Sequence, residues 1–242
     1  MQIFTENFKS SPYWWEKAPR PKIEIKKVPE KIDVAIIGSG YTGLCAALTL
    51  AKAGCEVVVF DAEDAGWGCS SRNGGQVSTS IKPGFRKLCG QFGEAAATKI
   101  IKEGQNSLNW LKNFIAREKI DCSFKVPGRF FAAHSQREFD RLAANLKAQP
   151  ASLEVKAKLV TRAEQRKELG TDIYHGGAVF ESHASLDPAL YHSALLEKVL
   201  KAGVTIITNC RVKKIRKHNA EFSLDTQLGL FNANKVIVGT NG

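Results

Sequence analysis

The sequence predicts an α/β fold, a parallel sheet built from βαβ crossovers, with an α+β region inserted between its two halves. Three observations predict it. The run "AIIGSGYTG" at 35–43 breaks an apolar strand pattern into glycines spaced G-x-G-x-x-G, and a β-branched run, "EVVVFDA", follows one helix length later. The middle of the chain, 82–186, has longer amphipathic helical patterns. From Asp187 onward the alternation of helix and short apolar strand returns. Short, uniformly apolar strands separated by helices belong to a parallel sheet covered on both faces.

Each element has its own reason. Residues 1–30 read as an irregular leader: prolines 12, 19, 21 and 29 argue against regular structure, while Tyr13, Trp14 and Trp15 predict that it packs onto something. "DVAII" is the first buried strand. A helix is predicted from Tyr41 to Ala53, because Leu44, Ala47, Leu48 and Ala51 fall on one face, and Gly54 ends it. In the middle region Ile101, Leu108, Leu111 and Ile115 mark a long helix, "GRFFAAH" an extended segment, and Phe139, Leu142, Ala143 and Leu146 another helix. "TRAE" at 161–164 has the capping-box form and predicts a short helix from Thr161. Asp187 is predicted to cap a helix whose first residue is Pro188, with Leu195, Leu196, Val199 and Leu200 inward and Gly203 as the stop. "VTIIT" is the next strand, followed by strand-like pieces at 211–216, 221–225 and 228–231 and by the apolar strand of "KVIVGTNG". The expected organisation is therefore a discontinuous domain, 31–81 with 187–242, and a partial second domain, 82–186.

Composition excludes several classes. Hydrophobic content of 43% and charged content of 24% are those of a folded protein rather than a disordered one. The first twenty residues have no apolar core of a secretory signal, and no run approaches the length of a membrane span. The 6 cysteines form no C-x-x-C pair and the 5 histidines no H-E-x-x-H, so we expect reduced cytoplasmic thiols and no metal. A net charge of +11 raises the question of nucleic acid. Its densest patch, "RVKKIRKH", lacks interleaved aromatics and any nucleic-acid motif, and reads as a half-exposed strand with a solvated face. No nucleic-acid partner is expected.

The glycine turn meets the physical requirements of a dinucleotide site. Gly38 permits the tight turn off the strand, Gly40 lets the backbone approach a pyrophosphate, and Gly43 lets the helix pack closely against the sheet. The helix N-terminus adds unpaired N–H groups and a partial positive charge. Asp61, at the end of the second strand, is placed to accept from a ribose 2′-OH and to disfavour a 2′-phosphate. NAD and FAD both satisfy this reading.

The run from "DVAIIGSGYTG" to "SSRNGGQ" resembles the N-terminal half of FAD-dependent oxidoreductases of the D-amino-acid oxidase superfamily, nearest the branch of gamma-glutamylputrescine oxidase-like enzymes. "GCSSRNGG" at 68–75 matches that branch's second glycine-rich segment. The passage from "YHGGAVF" through "VTIIT" and the terminal "KVIVGTNG" are similar to the family's return to its cofactor domain. The resemblance covers about 31–242. It implies an FAD-binding Rossmann-like βαβ domain with an inserted α+β substrate domain. It places Gly38, Gly40, Tyr41, Thr42 and Gly43 at the phosphates and Asp61 with Ala62 at the adenosine ribose. Ser70, Ser71, Arg72, Asn73, Gly74, Gly75 and Gln76 fall near the flavin, Val212 at the adenine, and Thr240 and Gly242 over the pyrophosphate and ribose. Some relatives bond a histidine of the 68–76 loop covalently to the flavin; Arg72 stands in that place, which implies non-covalent FAD. Cys69 reads as small packing.

The implied chemistry is oxidation of a primary or secondary amine or amino acid by hydride transfer to flavin N5, followed by imine hydrolysis. No catalytic residue follows from the sequence. Tyr174, His175 and His183 are candidate pocket walls, each reading first as a structural side chain. Family members continue well beyond the place where this chain stops, inside a binding motif at Gly242. The expectation is therefore a C-terminally truncated or split product, or a fragment of a longer protein. The alternative to an enzyme acting on a small-molecule amine is a non-catalytic nucleotide-binding remnant, or one subunit of a split flavoenzyme completed by a second polypeptide.

Overall fold

The computed structural model describes residues 3–24, 27–29 and 31–241. In chain order its elements are α1 (Tyr13–Lys17), β1 (Ile32–Ile37), α2 (Tyr41–Lys52), β2 (Val57–Phe60), β3 (Gln76–Val77), α3 (Phe85–Phe92), α4 (Glu94–Arg117), β4 (Arg129–Ala132) and α5 (Gln136–Lys147). There follow β5 (Ala157–Val160), β6 (Gly177–Phe180), β7 (Ala184–Ser185), α6 (Pro188–Lys201), β8 (Thr205–Ile207), β9 (Val212–His218), β10 (Glu221–Thr226) and β11 (Gly229–Val238). They form two compact units. The first comprises Met1–Gly75, Ile120–Cys122 and Asp187–Gly242, the second Gln76–Lys119 and Ser123–Leu186.

The first unit is built on a six-stranded sheet of order β8-β2-β1-β11-β10-β9. Its β8, β2, β1 and the second half of β11 run parallel, and β10 and β9 add an antiparallel flank. β1 lies between β2 and β11, with Ile37 opposite Phe60 on one side and Val238 on the other. The ends of these three strands therefore lie together. β-branched residues dominate β1 and β2, and all four residues of β2 are buried. α2 and α6 pack together, and α2 buries Gly43, Leu44, Ala47 and Leu48. Phe60, Ile36, Leu44, Leu195 and Leu196 are among the largest fully buried side chains. Each contributes roughly 1.5–3 kcal/mol of transfer free energy.

Asp187 caps α6 as expected: its Oδ1 accepts from the backbone N–H of Ala189 and Leu190, both at 3.0 Å, and Pro188 opens the helix. Two expectations are corrected. The pieces at 228–231 and in "KVIV" are one strand, β11, which changes partners midway. Ala233 pairs antiparallel with Phe222 and parallel with Ile32. Asn232 and Asn234 interrupt the apolar pattern, yet Asn234 Nδ2 donates to Asp33 Oδ1 at 3.3 Å, so the polar residue ties β11 to β1. The leader is not wholly irregular. Pro12 lies just outside α1, where it breaks nothing, and its carbonyl accepts from Trp15 N at 3.0 Å.

The second unit has a three-stranded antiparallel sheet, β4-β6-β5, and the short pair β3-β7. Serine at 135 caps α5 by accepting from Glu138 N. The helix expected from Thr161 is a correction. Glu164 Oε2 does reach back, accepting from Thr161 Oγ1 at 2.8 Å and Thr161 N at 3.3 Å, but only a 3₁₀ turn, Gln165–Lys167, follows. The buried Gln165 side chain donates to Tyr174 O at 3.0 Å and ties the turn to the returning chain instead of letting a helix continue.

Candidate functional site

At the end of β1 the chain turns through Gly38, whose φ of +102° suits glycine. Gly38 N donates to Phe60 O at 2.8 Å. The packing leaves no room for side chains: a Cβ on Gly43 would lie 1.9 Å from Gly38 O, and one on Gly38 would lie 2.9 Å from Gly239 O. Gly40 is the N-cap of α2 and brings no capping side chain, and the first turn carries no acid. A Cβ on Gly40 would meet Ser70 Oγ at 3.0 Å, the oxygen that accepts from Tyr41 N at 3.2 Å. Turn and downstream loop therefore meet at the helix N-terminus.

Ser39, between the glycines, is fully buried and held from two sides. Its N and Oγ donate to Asp61 Oδ2 at 2.7 and 2.5 Å, while its carbonyl accepts from His192 Nε2 at 2.8 Å. Because the partner is a carbonyl, the His192 proton is on Nε2. Burial holds the His192 pKa below the ordinary value, which keeps the ring neutral. Asp61 Oδ1 accepts from Glu63 N at 3.0 Å. A carboxylate has about four lone-pair sites, so Asp61 retains capacity for a ribose hydroxyl. Tyr41 donates its phenol to Pro188 O at 3.1 Å, and burial pushes it up to about 12.

Gly38, Gly40, Tyr41 and Asp61 border a cleft of about 400 Å³. Of the residues expected at the site, Gly38, Gly40, Tyr41, Thr42, Asp61, Ala62, Ser70, Val212 and Thr240 line it. So do Gly66, Trp67, Arg211 and Gly239, which sequence reasoning did not single out, and Cys69, which is exposed on the cleft and not the small packing residue expected. Gly43 serves the close packing of the turn. Ser71, Arg72, Asn73, Gly74 and Gly75 are not among the lining residues. Asn73 instead folds the loop, accepting from Gly75 N at 2.8 Å and donating to Cys69 O at 3.1 Å, and the Arg72 guanidinium lies over the rings of Trp15 and Trp67 at 5.8 and 5.3 Å. Gln76 belongs to β3 of the second unit, and Gly242 lies outside the described residues.

The cleft's chemistry fits the adenosine diphosphate half of FAD. Gly40 brings no capping side chain, so beyond Tyr41 N, which Ser70 Oγ holds, the first turn of α2 can offer backbone N–H groups to a diphosphate, and Asp61 stands at the end of β2 for a ribose. His192 was missed although a signal existed. It shares the helical stripe 192, 195, 196 and 199 with Leu195, Leu196 and Val199, a polar residue at an inward position.

In the second unit Tyr174 lines a groove of about 370 Å³ with Arg129, His134 and Arg141, its ring edge-on to His134 at 5.3 Å. His175 N donates to Ala133 O at 2.9 Å. His183 is buried, stacked on Phe180 at 5.0 Å, and its pKa is lowered by burial and then by Arg129.

The FAD dependent oxidoreductase family matches residues 33–242. The chain is 28% identical over 236 residues to the probable oxidoreductase OrdL of Rhizobium meliloti (strain 1021), covering 95% of this chain and 54% of that protein. It is 29% identical over 213 residues to the gamma-glutamylputrescine oxidoreductase of Escherichia coli (strain K12), covering 86% of this chain and 49% of that one. It thus spans about half the length of the curated relatives it matches. In fold it is similar to glycine oxidase from Geobacillus kaustophilus, with a TM-score of 0.76 at 20% identity over 88% of this chain and 56% of that one. No helix among the described residues is long and apolar enough to cross a membrane. With the glycine turn, Asp61 and the downstream loop inside the matched span, the chain belongs to the FAD dependent oxidoreductase (DAO) family.

Proposed function

We propose that this chain holds FAD non-covalently in the cleft of its first unit and serves the oxidation of a primary or secondary amine or amino acid. The observation that carries the reading is the meeting of Gly40 and Ser70 at the start of α2, with Asp61 on the same cleft. Gly38, Gly40 and Thr42 would hold the diphosphate and Asp61 with Ala62 the ribose. Val212 and Thr240 line the remaining wall. When bound, FAD supplies a hydride acceptor at its N5 atom, and the oxidised amine leaves as an imine that hydrolyses. The chain's own contribution is to bind, to orient and to keep Ser39 and Asp61 fixed. The amine class is supported by the gamma-glutamylputrescine oxidoreductase relative. Arg72, engaged by two indoles, stands where some family members carry a flavin-linked histidine, which supports reversible binding.

A cleft that lies within the first unit and fits a nucleotide is equally compatible with a second reading, a nucleotide-binding subunit active only with another polypeptide. Purification in the presence of FAD, acid precipitation and dye reduction with a panel of amines separate the two. A yellow protein that releases its flavin into the acid supernatant and reduces dye with an amine supports the first. Flavin retention without amine-dependent reduction supports the second. A colourless protein that binds NAD instead would overturn both.

A further inference from the structure

We propose that the N-terminal leader is part of the cofactor site, with Trp15 a positioning residue that pre-orders the 66–73 loop for FAD; this rests on the FAD reading above. Trp15 Nε1 donates to Ser71 Oγ at 2.7 Å, and that hydroxyl donates onward to Gly66 O at 2.5 Å. The Ser71 side chain is buried. Trp14 Nε1 donates to Asn73 O at 2.8 Å. Two neighbouring indoles thus give their only donors to polar atoms of a loop far away in sequence.

The rings add a second tie. Trp15 and Trp67 lie 5.6 Å apart. The Arg20 guanidinium sits 4.4 Å from the Trp15 centroid and 4.9 Å from that of Trp67, and the Arg72 guanidinium lies over the same two rings. Arg20 also pairs with Asp64 at 3.0 Å. Leader and loop therefore alternate guanidinium and indole, an arrangement attractive to both.

Core building does not explain this. No residue of α1 is buried, and Tyr13 is 75% exposed. Besides its contact with α6, the leader touches the segment whose Gly66, Trp67, Cys69 and Ser70 line the cleft. Gly66 and Gly68 give that segment wide conformational freedom, and ordering it on ligand binding would cost affinity. A loop already held by Trp15 avoids that cost. If release leaves the loop competent about a tenth of the time, the apparent dissociation constant rises about tenfold.

The test titrates FAD-free protein with FAD, following flavin fluorescence, and measures amide hydrogen exchange across 66–73 without FAD. Trp15→Ala is expected to weaken FAD binding about tenfold and to speed exchange in that segment, with the melting temperature of the FAD-free protein little changed. Trp15→Phe keeps a smaller aromatic ring between the guanidiniums but loses the N–H, so it falls between wild type and Trp15→Ala; Ser71→Ala, which removes the acceptor of that N–H, is likewise intermediate. Should Trp15→Ala fail to fold, those two variants carry the test. Wild-type affinity and exchange in all three variants overturn the inference. A wild-type protein that takes up no FAD at all overturns the functional reading on which it stands.

Discussion

His192 Nε2 and the carbonyl oxygen of Ser39 are 2.8 Å apart, and this bond fastens α6 to the middle of the glycine turn. The same serine is held by Asp61 through its N–H and hydroxyl. One buried residue thus links the end of β1, the end of β2 and a helix that arrives about 150 residues later in the chain. The turn is fixed by this network before any ligand is considered.

Removing the imidazole should therefore cost more than an average buried side chain. His192→Ala is expected to lower stability by about 3 kcal/mol near neutral pH, from the cavity and the orphaned Ser39 carbonyl. It should also alter pH dependence. Burial lowers the His192 pKa, so the unfolded chain takes up a proton below about pH 6.5 that the folded chain refuses. Stability is then complete above that value and is lost as pH falls, by at most about 1.4 kcal/mol per unit for this group. Urea unfolding at about pH 7.5 and about pH 5.5 should show a smaller drop for the variant. An equal drop in both proteins would remove His192 as the cause.

Gly43 and Gly54 make a matched pair for the packing claim. Gly43 lies in the first turn of α2 and Gly54 just past its end, but a Cβ at Gly43 would meet Gly38 O at 1.9 Å, whereas nothing lies within 4 Å of one at Gly54. Gly54→Ala bears only the strain of its φ of +84°, about 1 kcal/mol. Gly43→Ala must push helix and turn apart, at about 3 kcal/mol or more. Thermal melts that ranked them in the opposite order would refute the close-packing role.

Much of this architecture was legible because local chemistry and tertiary structure agreed. The β1 turn, α2, β2 and the Asp187 cap each follow from a few adjacent residues. What escaped was decided by partners distant in sequence. β11 looks like two pieces until β10 and β1 share Ala233, and "TRAE" looks like a helix start until Gln165 is drawn to Tyr174. In the site the cleft-lining residues next to the glycine motif were readable. The tasks of Ser71 and Arg72 were not, since they depend in part on the Trp15 indole, some 60 residues away in the leader.

Asp61 offers a test of the cofactor reading. Asp61→Ala deprives Ser39 N, Ser39 Oγ and Glu63 N of their acceptor and removes the acid from the cleft. FAD affinity is expected to fall at least about tenfold, with Asp61→Asn losing less because an amide oxygen still accepts from Ser39. Equilibrium titration with FAD measures both. If Asp61→Ala binds FAD as wild type does, Asp61 has no part in holding it.

Tyr41 links the same turn to alkaline stability. Its phenol donates to Pro188 O at 3.1 Å, its ring meets Tyr191 edge-on at 5.0 Å, and burial pushes its pKa from 10.0 to about 12. Burial raises Tyr191 as well. An unfolded chain sheds the phenolic proton near pH 10 while the folded chain keeps it. Stability from this group is therefore complete below about pH 10 and is lost between there and about pH 12. Tyr41→Phe gives up one hydrogen bond, about 1 kcal/mol near neutral pH, and also this alkaline loss. Its stability should start lower than wild type and decline less steeply, by up to about 1.4 kcal/mol per pH unit. Denaturant unfolding at about pH 9 and about pH 10.5 compares the slopes, and parallel lines would mean that the Tyr41 phenol ionises as freely in the folded protein as in the unfolded chain.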